Sequence, residues 1–519
     1  MTLTYTPVYQ PHLSPNIPKV INNKEYQKYR SVLEHIDEIL VKGKLEGEFV
    51  GLCLEHKQDE LRKLVKEQES EMSEKEDDSS VKLSRRFINR MQKMARKALR
   101  CNIARKLVGG SFREFSDRLA DSALLQWFCF IDQLAVIQPP TKSTLDRFDK
   151  IVPDSIIQQV TDRATIKAMQ PGTSSEDQPL GLVEPITINQ AFIDTSCIKA
   201  NIHFPVDWVL LRDVVIRLVG MIVVIRKHGL LHRMPSPKSF IKEINKLCLE
   251  MTHTRRKENA KKERKRIVRL MKKVVNTVNA HAERYRDLLA ANWSQTDLSE
   301  KEKDHLLKRL NKMLELLPQA VKQAHERIIG ERQVNNKDKI LSLHETEIHV
   351  IVRGKSGAEV EYGNTWVVVE QEDGIIIYSK LIKDQAKADC HLLQPALEQI
   401  AKTFGTYPGE IGGDRGFDSE KGRTFLSKEE IYNGICPRDP KVLKEQLKDE
   451  RFCQSQKRRS QTEGRIGIVK NRFLDGTLRS KGFLHRQVGV AWAILAHNLW
   501  ALARLSIAQQ KEVDVAAAA

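Results

Sequence analysis

The sequence predicts an α/β protein in which a mixed sheet is flanked by helices. An all-α region precedes the sheet, and a large helical insertion follows its first strand. Three observations predict this. β-Branched runs split by Gly-containing turns stand close together at His349-Val-Ile-Val352, Thr365-Trp-Val-Val-Val-Glu370 and Gly374-Ile-Ile-Ile-Tyr378. A separate strand-like stretch, Ile186 to Ile202, lies far upstream of them. Between the two, from Trp208 to about residue 335, the pattern is almost wholly helical.

Length and charge bound the rest. A chain of 519 residues has room for about three domains, and 40% hydrophobic content supplies their cores. The formal net charge of +18 suits a polyanionic partner, the bland alternative being a protein that is merely basic. The eight cysteines form no CxxC pair, which argues against a zinc knuckle and a disulfide framework and for a reducing, cytoplasmic setting. Met1-Thr-Leu-Thr-Tyr-Thr-Pro7 lacks a signal-peptide pattern. The most apolar run, Trp208 to Ile225, is broken by Arg212, Asp213 and Arg217, so no membrane span is expected.

In chain order, four prolines up to Pro18 predict an extended arm, a helical stretch covers 24–68, and Glu67 to Ser80 reads as a solvated acidic linker. Leu83 to Leu107 is a basic amphipathic helix. Ser111-Phe-Arg-Glu114 and Ser143-Thr-Leu-Asp146 fit capping boxes, and the short helices around them suit a helix-turn-helix-like module. Pro205-Val-Asp207 stops the first strand, with Asp207 as N-cap of the next helix. Thr254 to Lys273 carries eleven Lys/Arg against two Glu, either a solvated face or an arm that tracks phosphates through Lys261, Lys262, Lys265 and Arg266. A helix over Asp389 to Phe404, a strand ending at Asp414, a short helix from Ser419, the strand Ile431 to Cys436 and a last helix from about His485 to Leu505 complete the chain. Expected boundaries are therefore 1–82 for the arm, helix and linker; 83–180 for the helical domain; 181–207 and 339–508 for the core; 208–338 for the insertion; and 509–519 for a tail. Without the insertion, a mixed α/β layer of RNase H type remains.

The chemistry centres on Arg459-Ser-Gln-Thr-Glu463-Gly-Arg-Ile-Gly-Ile-Val-Lys470. On one helix Arg459, Glu463 and Lys470 fall within roughly 40° of one another, a carboxylate flanked by two cations. The carboxylate suits a divalent metal and the cations suit a phosphate. Asp414 ends a short strand, and Asp194 lies inside the strand-like stretch that opens the core. Each has a bland reading: an i,i+4 ion pair for Arg459 and Glu463, a turn for Asp414, an N-cap for Asp418, and structural roles for His203 and His391. An unpaired carboxylate within an apolar strand is harder to explain away.

At these residues the chain resembles bacterial insertion-sequence transposases of the DDE class. Asp194-Thr-Ser-Cys-Ile-Lys-Ala-Asn-Ile202 with Phe204-Pro-Val-Asp207 is similar to their first-Asp motif. Gly413-Asp414-Arg-Gly-Phe-Asp-Ser419 is similar to their second, and Arg459, Glu463 and Lys470 match their Arg-Glu-Lys spacing. The fullest signature has a Tyr where this chain has Gln456. Gly354-Lys-Ser-Gly357 with Glu361-Tyr-Gly-Asn364, and Ser111 to Phe148, resemble further parts of the family, so the likeness spans roughly 80–505. The resemblance implies a transposase (ISNCY-like) that binds the ends of an insertion sequence, cleaves DNA and transfers strands. It implies two Mg2+ per site, or Mn2+ as a substitute, held by Asp194, Asp414 and Glu463 as catalytic residues. Arg459, Lys470 and Arg415 would contact DNA beside them. The partners would be double-stranded terminal repeats and target DNA, with a homodimer assembled on the DNA and the cytoplasmic protein nucleoid-associated when bound. A non-cutting DNA-binding descendant and a stand-alone RNase H-like nuclease are the rival readings.

Overall fold

The computed structural model describes residues 20–71, 84–131, 136–170, 180–254, 258–355, 358–385 and 388–518. The expected arm up to residue 19, most of the acidic linker and Ser356-Gly357 lie outside these. The described chain forms two compact units. Unit 1 comprises residues 1–199 and 364–519; unit 2 is the segment 200–363.

Unit 1 begins with helices α1 (Lys24–Lys42), α2 (Leu45–Glu71), α3 (Arg85–Val108), α4 (Phe112–Asp121), α5 (Ala123–Phe128), α6 (Lys142–Asp149) and α7 (Asp154–Met169). The Ser111–Glu114 capping box forms at α4 as its sequence predicts. At α6 the cap is Thr141, whose hydroxyl accepts from the Thr144 amide, and not Ser143. Strand β1 (Gln190–Lys199) follows. Unit 2 then supplies α8 (Asp207–Lys227), α9 (Pro237–His253), α10 (Ala260–Asn292) and α11 (Glu300–Ala324), which share one apolar core, and β2 (His349–Lys355). Strand β3 (Ala358–Gln371) runs from unit 2 into unit 1. Its first half pairs antiparallel with β2, and its second half pairs antiparallel with β4 (Ile376–Leu381). After α12 (Leu393–Phe404) come β5 (Glu410–Gly413), α13 (Glu420–Lys428), β6 (Tyr432–Ile435), α14 (Pro440–Gln446), α15 (Glu450–Ile468) and α16 (Phe483–Ala518).

The sheet order β3-β1-β5-β6, with β4 on the other edge of β3, mixes parallel and antiparallel pairs. This is an α/β core of RNase H type with the helical insertion after its first strand. Period-2 alternation decides which side each residue serves. Val367, Val369 and Ile377 point to the α12–α13 side, while Trp366, Val368 and Ile376 join the cluster shared with α16 and the N-terminal helices. Helix α16 is the one described helix with the length and apolarity of a membrane span, but 78% of that window is buried within the protein.

Two corrections concern carboxylates. Asp207 does not cap α8. It is buried, with its oxygens on Gln323 Nε2 and Arg327 Nη1 at 2.8 and 2.9 Å. Asp418 does not cap α13, where Ser419 accepts from the Gly422 amide; Asp418 instead is buried against Arg423 and the Arg438 amide. In both cases a buried acid has taken an arginine partner, and the helix end is served by its neighbour or by none.

Helix α15 is fixed to the sheet by a buried charge. Glu370 on β3 is 0% exposed and accepts from Arg458 Nη1 at 2.9 Å, Thr462 Oγ1 at 2.8 Å and Arg465 Nε at 3.2 Å. Arg458 also lies over the Phe192 ring on β1. Close approach is possible because of glycine: a Cβ on Gly434 of β6 would stand 2.4 Å from Ser455 Oγ of α15. Gly374, at φ +81°, turns the chain from β3 to β4 directly over the Arg465 guanidinium, where a Cβ would stand 2.0 Å from Nη2.

Glu370→Gln should therefore cost about 3 kcal/mol or more, because it leaves two guanidinium groups short of their counter-charge. Gly374→Ala should cost about 1–3 kcal/mol through its positive φ and the displaced Arg465. Urea unfolding of both variants checks this, and wild-type midpoints would contradict it.

Candidate active site

Parallel pairing brings the first two acids together. In the β1–β5 register, Gln190 lies opposite Glu410 and Phe192 opposite Gly412. Continued by two residues, that register sets Asp194 beside Asp414 at the carboxyl ends of adjacent parallel strands, where open α/β sheets leave a crevice. Asp194 Oδ1 accepts from the Thr195 amide at 2.7 Å, and Asp414 Oδ1 accepts from the Gly416 amide at 2.8 Å.

Helix α15 brings the rest. The Asp194 carboxyl is pushed up to about 6, chiefly by burial. The Thr195 amide and Arg459 oppose the rise, while the negative charges of Asp414 and Glu463 add to it. Asp194, Asp414, Arg459 and Glu463 are thus close enough to act on one another. Thr462 of α15 is directed at Glu370, which places the next residue, Glu463, about 100° round the helix from the sheet contact. The Glu463 side chain is 55% exposed, and its oxygen lies 4.0 Å from Arg459 Nη1. Arg459 Nε is buried without an acceptor among the described residues.

Lys470 falls just past the end of α15, in a π turn over Val469–Phe473. Its Nζ lies 3.2 Å from Ser196 Oγ, two residues beyond Asp194 on β1. The expected cluster of Arg459, Glu463 and Lys470 on one continuous helix is thus modified: the last member sits on wider turns and reaches back to the first strand. Gln456, which stands where the family signature has Tyr, donates through Nε2 to the carbonyls of Gly413 and Gly434. Here it ties α15 to β5 and β6. Arg415 is exposed beside Asp414. Gly464 and Gly467 border open space, where a Cβ would meet nothing within 4 Å.

One acid was not singled out from the sequence. Asp389, at the turn before α12, accepts from Thr195 Oγ1 at 3.2 Å. A Cβ on Gly416 would stand 2.9 Å from an oxygen of both Asp389 and Asp414. Asp389 thus borders the same crevice. In the sequence it resembles any acid at a helix start, and only the fold brings it near Asp194.

Hard carboxylate oxygens whose mutual repulsion Arg459 offsets only in part suit a divalent cation. Among the described residues, however, no three Asp, Glu, His or Cys side chains are close enough as they stand to ligate one ion. Donor chemistry fits the ion at Asp194 and Asp414, and Glu463 would complete the set by leaving Arg459.

The insertion's basic run is divided in its use. Helix α10 buries Ile267, Val268, Met271, Val274 and Val275 in the core of unit 2. Lys261 and Lys265 flank Glu331 at 3.7 and 2.9 Å, Arg266 pairs with Glu250 and Glu263, and Lys262 is exposed. All eight cysteines are free thiols.

Comparison with family models, curated proteins and solved structures returned no match. The functional reading therefore rests on the residues of the chain itself.

Because the folded-state pKa of Asp194 is raised, its ionised form costs stability. That cost is absent below the ordinary Asp value and fully present above about pH 6. Asp194→Asn, which keeps an acceptor for the Thr195 amide, should raise stability by about 1–3 kcal/mol at pH 8 without metal, and by much less at pH 4. Thermal melts at the two pH values measure this, and an equal effect at both would refute it.

Proposed function

We propose that this chain is a DDE-class transposase that binds the ends of an insertion sequence, cleaves them and joins them to target DNA. The observation carrying the proposal is the β1–β5 register that sets Asp194 beside Asp414, with α15 bringing Glu463 and Arg459 to act on the same carboxylate. The resemblance of the motifs around these residues to insertion-sequence transposases, the net charge of +18 and the RNase H type core all support the same reading.

In this reading Asp194, Asp414 and Glu463 hold Mg2+ or Mn2+. Bound divalent ions would activate the attacking oxygen and steady the leaving one during in-line displacement at phosphorus. The chain's own residues do the positioning. Arg459 has an unused Nε donor and would turn its guanidinium from Glu463 to a phosphate oxygen, which frees Glu463 for the metal side. Lys470, held by Ser196 before DNA arrives, is already beside β1 and would exchange that hydroxyl for phosphate. The paired acids need no rearrangement of β1 or β5, since strand register alone keeps them adjacent. Double-stranded transposon ends and target DNA are the partners, with two copies of the chain assembled on them.

Single-turnover nicking of an end-bearing duplex tests this. Asp414→Asn should bind DNA and fail to nick, whereas Asp418→Asn, an acid engaged with Arg423, should nick if it folds. Lys470→Ala should lose about 1 kcal/mol from its Ser196 bond and at least an order of magnitude in nicking. Arg459→Lys should also nick poorly, because an ammonium cannot grip phosphate with two prongs. Full nicking by Asp414→Asn would reject the assignment, and strand joining into a second plasmid separates a transposase from a plain nuclease.

A companion measurement concerns the insertion. Replacing Lys261, Lys262, Lys265 and Arg266 with Ala should flatten the salt dependence of DNA binding for every sequence alike. An unchanged slope would make α10 a core helix with a solvated outer face.

A further inference from the structure

Unit 1 contains a second concave site, away from the carboxylates, with a cavity of about 590 Å3. Its walls come from three parts of the chain: the α3–α4 turn, the start of α6, and the loop between the π turn and α16. Arg113, Lys142, Arg479 and Lys481 are exposed at its edge, and none makes a hydrogen bond or ion pair among the described residues. Among the other charges of the lining, Arg105 is matched by Asp149 at 2.7 Å and Lys150 by Asp146 at 2.8 Å, and Asp475 is a single exposed acid against the four rim cations.

Lys106 lines the same cavity from its inner wall. It is 3% exposed, and its ammonium has no hydrogen bond or ion pair among the described residues. An ammonium in this position is costly, since burial removes water and no hydrogen-bond acceptor among the described residues replaces it. Burial lowers its pKa to about 7; Arg105 assists, while Asp149 and Asp475 oppose. A packing role alone would be served better by a methionine. What the position retains is a strong donor at the base of a cationic rim.

The N-terminus of α4 does not provide the attraction, because the Ser111–Glu114 capping box already occupies it. The unmatched charge is on side chains that converge from separate elements. Several cationic donors around one hollow fit a group with several acceptor oxygens and more than one negative charge.

The geometry points to a phosphate-binding site here, with Lys106 at its floor and Arg113, Lys142, Arg479 and Lys481 at its rim. The phosphate is that of a DNA backbone or of a free phosphate compound. Only the first source rests on the reading under Proposed function. The loop that walls the site runs straight on from the turn carrying Lys470, so an occupant would join the N-terminal helices to the segment that bears the candidate active site.

The test uses the full chain in chelator. Pyrophosphate binding is followed by calorimetry, and binding of an arbitrary-sequence duplex by fluorescence anisotropy. Lys106→Met should bind pyrophosphate roughly tenfold or more weakly, the loss of one charge-assisted contact, and should not melt lower than wild type. The surface variant Arg479→Ala/Lys481→Ala should weaken it as well, and decides the matter if Lys106→Met does not fold. Parallel loss of duplex affinity makes the DNA backbone the source; loss for pyrophosphate alone makes it a free phosphate compound, and loss for duplex alone makes it the backbone only. Wild-type affinity for both probes in both variants overturns the site. Asp414→Asn should bind both probes normally, so failure of the carboxylate assignment and failure of this one are read from different variants.

Discussion

Everything the candidate site does depends on the buried charge of Glu370. A carboxylate with no exposed surface, in the middle of a sheet, is tolerable only with close cationic partners. Arg458 and Arg465 provide them from successive turns of α15, and the Thr462 hydroxyl between them adds a neutral donor. Three contacts to one group fix both the position and the rotation of that helix. Once Thr462 faces Glu370, the direction of Glu463 and Arg459 follows from helical geometry. The glycines at 374, 412 and 434 let the helix and the strand turn approach as closely as those contacts require.

The strand ends add the complementary half. Parallel pairing of β1 with β5 sets two acids side by side, and burial forces them to interact through protein more than through water. This arrangement is unfavourable for stability and favourable for anything that brings positive charge into the crevice. Arg459 and Lys470 offer part of that charge in the free chain, one near Glu463 and one on Ser196. The Arg459 contact is a weak one, a 4.0 Å ion pair to a half-exposed carboxylate, and Lys470 has the Ser196 hydroxyl among its partners. An ion pair of that length at a solvent-facing carboxylate holds Arg459 in place at little cost to release.

The insertion follows a different logic. It leaves after β1 and returns through β3, and it has a hydrophobic core of its own built from α8 to α11. A helix such as α10 has to serve that core on one side, so its cations are confined to the other. Several of them have local acids, and this reduces the charge left for a polyanion. In unit 1 a separate group of cations without ion pairs among the described residues lies around Lys106.

The order of strands and helices was legible in the sequence because apolar periodicity is a local property, and the alternation at Trp366 to Val369 maps directly onto the two faces of the sheet. The helical insertion was legible for the same reason. Asp194, Asp414 and Glu463 could be singled out by residue type and motif. Spacing could not show that β1 pairs with β5, that Asp389 borders the crevice, or that Lys470 sits on a π turn reaching Ser196. Asp207 was misread as a cap, and the cap alternative for Asp418 fails in the same way, since a cap and a buried ion pair use the same residue and differ only in what the rest of the chain brings near. Glu370 at the end of a β-branched run looked like a strand terminus and is the anchor of α15. The sequence alone determined which elements form, because that depends on neighbours a few residues away. The tertiary structure decided which charges meet, because Coulomb and desolvation energies depend on distances that only long-range packing sets.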